Sequence, residues 1–138
     1  MTAEQNKTHR FVHEAEAEVE EVLGRNHLWY CRPDLVDTDK LNFVRAQFPP
    51  GGFHDFHDHP RMEEILYVLS GTAEQWVEGE RRILTTGDVV HIPEGIAHAT
   101  FNAGEDTLEF LAVLSPADSG EPMTVDRSGE EPWCSLRS

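Results

Sequence analysis

His57-Asp58-His59-Pro60-Arg61-Met62-Glu63-Glu64 decides how this chain is read, and Pro93-Glu94-Gly95-Ile96-Ala97-His98 completes the reading. His57 and His59 are two residues apart, so on a strand both imidazoles project from one face. His54 has the opposite parity and is expected to point away. Pro60-Arg61-Met62 makes a short connection to the next strand, which Glu64 opens on the same face as Leu66 and Val68. Glu63 is the rival acid, and parity places it on the other face. An adjacent strand would bring Glu64 to the histidine pair, whereas His98 opens a later strand and only the fold can deliver it.

Three neutral imidazoles and one carboxylate form a mixed nitrogen and oxygen donor set. Such a set suits Fe, Mn, Ni, Cu or Zn rather than Ca or Mg. The expectation is one divalent transition metal on His57, His59, Glu64 and His98. Four ligands around an ion that prefers six leave two positions open, as a catalytic site needs and a structural zinc site lacks.

Outward from this cluster the chain reads as short strands: 27–32, 41–48, 53–59, 64–70, 72–77, 81–84, 89–92, 98–102 and 107–115. Turn formers punctuate them, among them Pro49-Pro50-Gly51-Gly52, Ser70-Gly71, Thr86-Gly87-Asp88 and Asn102-Ala103-Gly104. No convincing long helix interrupts the series, which points to an antiparallel sandwich or barrel. Leu108, Phe110, Ala112 and Leu114 alternate with Leu111 and Val113, so that strand is expected to be covered on both faces. Residues 13–21 alternate Glu with Ala and Val; a strand with one solvated face fits, and so does a short helix. Residues 1–10 read as disordered. From Pro116 the composition turns to Asp, Ser, Gly, Glu and Pro, a tail that either drapes over the domain through Met123, Val125 and Trp133 or is partly disordered. The division is thus an N-terminal arm (1–25), a β-domain (26–116) and an acidic tail (117–138).

Net charge is −15, from 26 acidic against 11 basic side chains. Such a surface repels phosphate backbones and anionic lipid, so neither nucleic acid nor a membrane surface is an expected partner. No stretch approaches a membrane span, and Met1 to Arg10 lacks the apolar run of a signal peptide. Cys31 and Cys134 match no metal or redox spacing. Two free thiols in a reducing cytoplasm is the preferred reading, and a bridge from the tail to Cys31 is the alternative.

Gly51-x5-His57-x-His59-x4-Glu64-x6-Gly71 resembles the first motif of the cupin superfamily, and Gly87-x5-Pro93-x-Gly95-x2-His98-x3-Asn102 resembles the second. An accidental match to five fixed positions has odds on the order of 10⁻⁷ per placement. The spacing to Gly71 also favours Glu64 over Glu63. The resemblance covers about 41–115 and implies an all-β fold, an antiparallel jelly-roll β-barrel (double-stranded β-helix). It also implies a metal held inside by His57, His59, Glu64 and His98. The turn residues carry structural reasons of their own: Gly71 and Gly87 permit positive φ, and Asn102 can tie its strand to the following turn.

By parity the pocket around the ion is lined by Leu66, Val68, Thr100, Leu108, Phe110 and Ala112. On 41–48 either Val44, Ala46 and Phe48 face inward, or Phe43, Arg45 and Gln47 do. The second option would set a cation beside the metal; an Arg45 paired with a surface carboxylate is the favoured one. His91 is either near the site or simply exposed. Trp29, Tyr30, Phe53, Phe56, Trp76 and Phe101 read as packing residues. The resemblance implies an oxidoreductase of dioxygenase type acting on a small chelating organic substrate. The alternatives are a non-redox isomerase or lyase, for which no inward base is evident, and a non-catalytic small-molecule binder. It also implies a homodimer, which the outward Leu111 and Val113 fit.

Overall fold

Alternation of apolar and polar residues turns the middle of this chain into strands. The computed structural model describes residues 11–137. Its strands are β1 (Glu18–Val22), β2 (Arg25–Cys31), β3 (Asn42–Phe48), β4 (Phe53–Asp58), β5 (Glu63–Ser70), β6 (Ala73–Val77), β7 (Glu80–Leu84), β8 (Val89–Ile92), β9 (His98–Asn102), β10 (Leu108–Ser115) and β11 (Val125–Asp126). β3 buries Val44, Ala46 and Phe48, β5 buries Glu64, Leu66 and Val68, and β10 buries Leu108, Phe110, Ala112 and Leu114. These sets share one face of one sheet, ordered β1-β2-β3-β10-β5-β8. An apolar face of that extent is buried only against a second layer. That layer is the sheet β11-β4-β9-β6-β7.

Among the described residues the two sheets do not close on each other. β1 and β8 end one ladder and β11 and β7 the other, so the expected barrel is corrected to a jelly roll of two facing sheets. Between them sit Phe48 and Phe110, edge to face at 5.1 Å, with Leu66, Val68, Ile92 and Leu108. Side chains of that size hold facing sheets about 10 Å apart, twice the spacing of a hydrogen-bonded ladder. Gly71 turns β5 into β6 with φ +89°; a Cβ there would stand 2.8 Å from Leu108 Cα, so both backbone and space demand glycine. Asn102 donates to the carbonyls of Phe48 and Asp106 at 2.9 and 2.8 Å and accepts from Gly104 N–H at 2.9 Å. It ties β9 to the following turn, as expected, and to the end of β3 as well.

Both alternatives at 13–21 occur in turn: a single 3-10 turn at Glu14–Glu16, then β1 paired with β2. The expectation of disorder for residues 1–10 lies outside the described residues. Arg45 faces outward and pairs with Glu109 and Glu14, each at 2.9 Å. His91 is exposed and meets Glu63 at 2.7 Å, which puts Glu63 on the outer face.

The tail drapes. β11 pairs with β4, matching Val125 to Asp58 and Asp126 to His57, and Arg127 Nε donates to Asp58 at 2.7 Å. The short helix α1 (Trp133–Leu136) then packs Trp133 and Leu136 on Phe56, Trp76, Ala99 and Phe101. The guanidinium of Arg137 lies 3.7 Å over the Phe101 ring and donates to Glu74. This cover explains why β9 is buried at every position: one face looks into the molecule and the other lies under the tail. Burying a large apolar side chain this way stabilises by about 1.5–3 kcal/mol. Cys31 and Cys134 are free thiols, so the bridge does not form. No described helix is long and apolar enough to cross a membrane.

Candidate metal centre

Strand pairing places two of the histidines directly. His57 on β4 and His98 on β9 are cross-strand partners, with ring centroids 4.2 Å apart. His59 lies just beyond β4, in a turn closed by Met62 N–H to His59 O at 3.0 Å. Its ring stands 4.9 Å from His57 and 5.1 Å from His98. All three are buried, and one ring nitrogen from each lies within 4.8 Å of the others.

The tautomers follow from the partners. His57 Nδ1 lies 2.7 Å from Asp55 O, His59 Nδ1 2.7 Å from Met123 O, and His98 Nδ1 2.9 Å from Ile96 O. A carbonyl oxygen only accepts, so every Nδ1 carries the proton and every Nε2 is left with a lone pair. Fixing the imidazole from behind in this way is how proteins orient metal ligands.

Glu64 reaches this group from the opposite direction. The adjacent strands expected from the sequence are corrected: β4 and β5 belong to different sheets; the 59–62 turn crosses between layers, so Glu64 faces the histidines across the interior. Its Oε1 stands 3.3 Å from His59 Nε2 and 2.9 Å from His98 Nε2. Neither contact is a hydrogen bond, because Glu64 Oε1 is buried without a hydrogen-bond partner, as is His98 Nε2. Lone-pair atoms facing each other at that distance are a donor set for a cation. The residues therefore fit a divalent ion: the three histidines would hold it, with Glu64 alongside two of them.

Electrostatics agree. Burial, followed by the neighbouring imidazoles, holds His57 well below the usual histidine range. Burial would lower His59 too, but the Glu64 carboxylate outweighs it and raises that ring. Glu64 is buried, which opposes ionisation, yet the His59 and His98 rings beside it hold its carboxyl far below the ordinary carboxylate range. An ionised carboxylate is the state in which it could serve a metal.

The site opens into a cavity of about 460 Å³, within the range of small-ligand pockets. Leu66, Thr100, Phe110 and Ala112 are among the residues that line it. Val68 and Leu108 do not: they are buried in the core between the sheets. His54 is a second correction. The β4–β9 register shifts between His54 and His57, and this bulge reverses parity. The His54 ring turns inward and stacks on His57, centroids 3.4 Å apart and 6° from parallel. Burial and then Arg25 keep it well below the usual histidine range.

One wall was absent from the sequence reading: Glu20, Arg25, His27, Trp29 and Arg32 from the β1–β2 hairpin, and Met123 and Thr124 from the tail. The hairpin residues carry a signal in their spacing, since Arg25, His27 and Trp29 alternate along one strand. Glu20 Oε1 accepts from His27 Nδ1 at 3.0 Å and from Trp29 Nε1 at 3.1 Å. Burial lowers His27 despite the Glu20 carboxylate, so its ring is neutral with Nε2 unprotonated.

Three comparisons place this architecture among known proteins. Over 92 residues the chain is 32% identical to a putative germin-like protein 2-2 of Oryza sativa subsp. japonica, an overlap of 62% of this chain and 41% of that protein. It thus spans about two fifths of the length of such germin-like relatives. The structure of KdgF from a Halomonas species superposes with TM-score 0.68 at 28% identity, over 79% of this chain and 94% of that one. A protein from Thermotoga maritima described as a predicted oxalate decarboxylase gives TM-score 0.69 at 26% identity, over 77% and 98%. The cupin domain family model matches residues 44–114, the segment that carries His57, His59, Glu64 and His98, and the chain belongs to the cupin family.

Proposed function

We propose that this chain is a metalloenzyme of dioxygenase type, acting on a small organic substrate that chelates the ion. One observation carries the reading: three Nε2 lone pairs and an ionised Glu64 converge at the closed end of a cavity of small-molecule size. A redox-active ion bound there would supply electrons for dioxygen chemistry. The chain's own residues do the rest: His57, His59, His98 and Glu64 hold the ion, and Leu66, Phe110 and Ala112 exclude water. Similarity to a protein described as a predicted oxalate decarboxylase supports a small organic acid as the substrate and leaves the reaction to experiment. The test is elemental analysis and electron paramagnetic resonance of protein purified without chelator. Anaerobic Fe(II) loading and a panel of catechols, diketones and thiols would follow. Oxygen uptake with one class is expected; none across the panel overturns the oxygenase.

A second reading has its own observation. Proton-transfer chemistry, as in an isomerase or lyase, needs a base besides the ligands, and His27, held by Glu20, stands in the cavity wall. Its Nε2 would take a proton from an acidic C–H of the substrate and return it to the product. Turnover with Zn(II) in air-free buffer separates this reading from the first. For the assembly we infer a homodimer. The outer face of β5, β8 and β10 exposes Ile65, Tyr67 and Val89 beside the half-buried Leu111 and Val113. Light scattering that returned a monomer would remove that inference.

A further inference from the structure

Arg25 opens β2 and lies half-buried in the cavity wall, and it differs from every other described arginine except Arg61, which is exposed in the 59–62 turn. Arg32, on the same wall, is paired with Glu18 and Asp34. Arg45, Arg81, Arg82, Arg127 and Arg137 each meet a carboxylate as well. Arg25 has none within ion-pair distance, in a chain with 26 acidic residues. The nearby Glu20 is occupied by His27 and Trp29. Arg25 Nη1 donates to Leu23 O at 3.0 Å and to Phe53 O at 3.2 Å, which pins the guanidinium, while Nε is buried with no acceptor. Glu20 acts on Arg25 only through space, and holding a half-buried guanidinium without a direct ion-pair contact is costly.

Two neutral rings lie between it and the metal centre. His54, beside Arg25, engages no hydrogen-bond partner and stacks on the candidate ligand His57; His27 lies 6.4 Å from His54, ring to ring. The wall therefore runs from one guanidinium without an ion-pair contact, across two uncharged imidazoles, to the histidine cluster. We infer that Arg25 is a specificity-determining residue that anchors a carboxylate of the substrate, while the substrate's other end reaches the metal centre. This deepens the function proposed above and rests on it for the metal-binding end. One guanidinium with the Glu20 carboxylate nearby balances at most one further negative charge, which selects a carboxylate over a phosphate dianion.

The test uses the metal-loaded full chain and calorimetric binding of malonate, succinate and glutarate, with their neutral diamides and inorganic phosphate as controls. At least one diacid should bind roughly tenfold more weakly to Arg25→Gln than to the parent, with Arg25→Lys between them, and the diamides should not discriminate. Equal diacid binding by parent and Arg25→Gln overturns the inference, as does phosphate binding at Arg25 as tightly as the best diacid. Because Nη1 also supports two loop carbonyls, a second measurement avoids substitution altogether. In ¹⁵N-labelled metal-free protein the Arg25 Nε–H resonance should shift as the same diacid is added, and a resonance unmoved at saturation overturns the inference. Failure to take up metal would sink the metalloenzyme reading alone, since this second arm does not need the ion.

Discussion

The ion-holding and the ligand-facing sides of the cavity come from different parts of the chain. His57, His59, Glu64 and His98 all fall inside the segment matched by the cupin domain, on strands whose turns are set by Gly71, Pro93 and Gly95. Glu20, Arg25, His27, Met123 and Thr124 lie before or after it, on a hairpin and a strap laid against the two sheets. The first group is held by cross-strand pairing through the middle of the fold; the second is added from its edges. The proposed metal binding and the proposed substrate choice thereby fall on segments that can be altered separately.

That separation breaks most visibly at the ligands. His98→Ala should lose roughly 100-fold or more in metal affinity, since it removes one of three converging nitrogens and exceeds the 10–100-fold expected for supporting groups. His27→Ala, on the hairpin, should stay within about threefold of the parent. Chelator-competition titration with Zn(II) or Co(II) reads both, and thermal unfolding checks that each variant is folded. A similar loss in the two variants would mean that the hairpin is part of the metal centre itself.

The same division explains what could be read from residues alone. The ligand set was legible because two histidines at i and i+2, a glutamate and a Pro-x-Gly-x-x-His turn are local patterns whose spacing has a mechanical reason. Val44, Ala46 and Phe48 facing inward, with Arg45 outward, agreed with the favoured alternative because a half-buried strand forces that alternation. His54 failed for a local cause: one bulge shifts every parity argument that crosses it, and nothing in Phe53-His54-Asp55-Phe56 announces it. The β1–β2 wall failed for a different one. Arg25, His27 and Trp29 alternate plainly, but which face of an edge hairpin turns inward depends on its partner strand β3. A draping tail was one of the alternatives read from the sequence, but its pairing with β4 was not legible, because β11 is only two residues long, too short for any periodicity.

The strap offers the next test. Met123 O accepts the His59 Nδ1 proton at 2.7 Å, so a tail segment orients a ligand that the motif supplies. Removing residues 119–138 should weaken metal binding by about 10–100-fold, less than His98→Ala. It should also lower the unfolding temperature, because Phe56, Trp76 and Phe101 lose their cover. If affinity is unchanged while stability falls, the 59–62 turn alone orients His59 and the strap serves only as a cover.

The smallest effect belongs to the arginine that faces away. Arg45 sits on β3 between Glu14 and Glu109 with its side chain 28% exposed, where ion pairs contribute about 0.2–1 kcal/mol. Arg45→Ala should cost that much in denaturant unfolding, lose part of the deficit at high salt, and leave metal affinity and diacid binding untouched. Burial of Glu109 disfavours its charge, but the hydrogen bonds from Arg45 and Gln47 outweigh this and lower its pKa from the ordinary 4.5. A carboxyl with a depressed folded-state pKa stabilises the fold above its unfolded value and loses that contribution as pH falls through the folded one. The gap between parent and Arg45→Ala should therefore be full at neutral pH and close below about pH 4.5. A gap that persisted in acid would assign the loss to the packing of the Arg45 stem against the outer sheet face rather than to its charge.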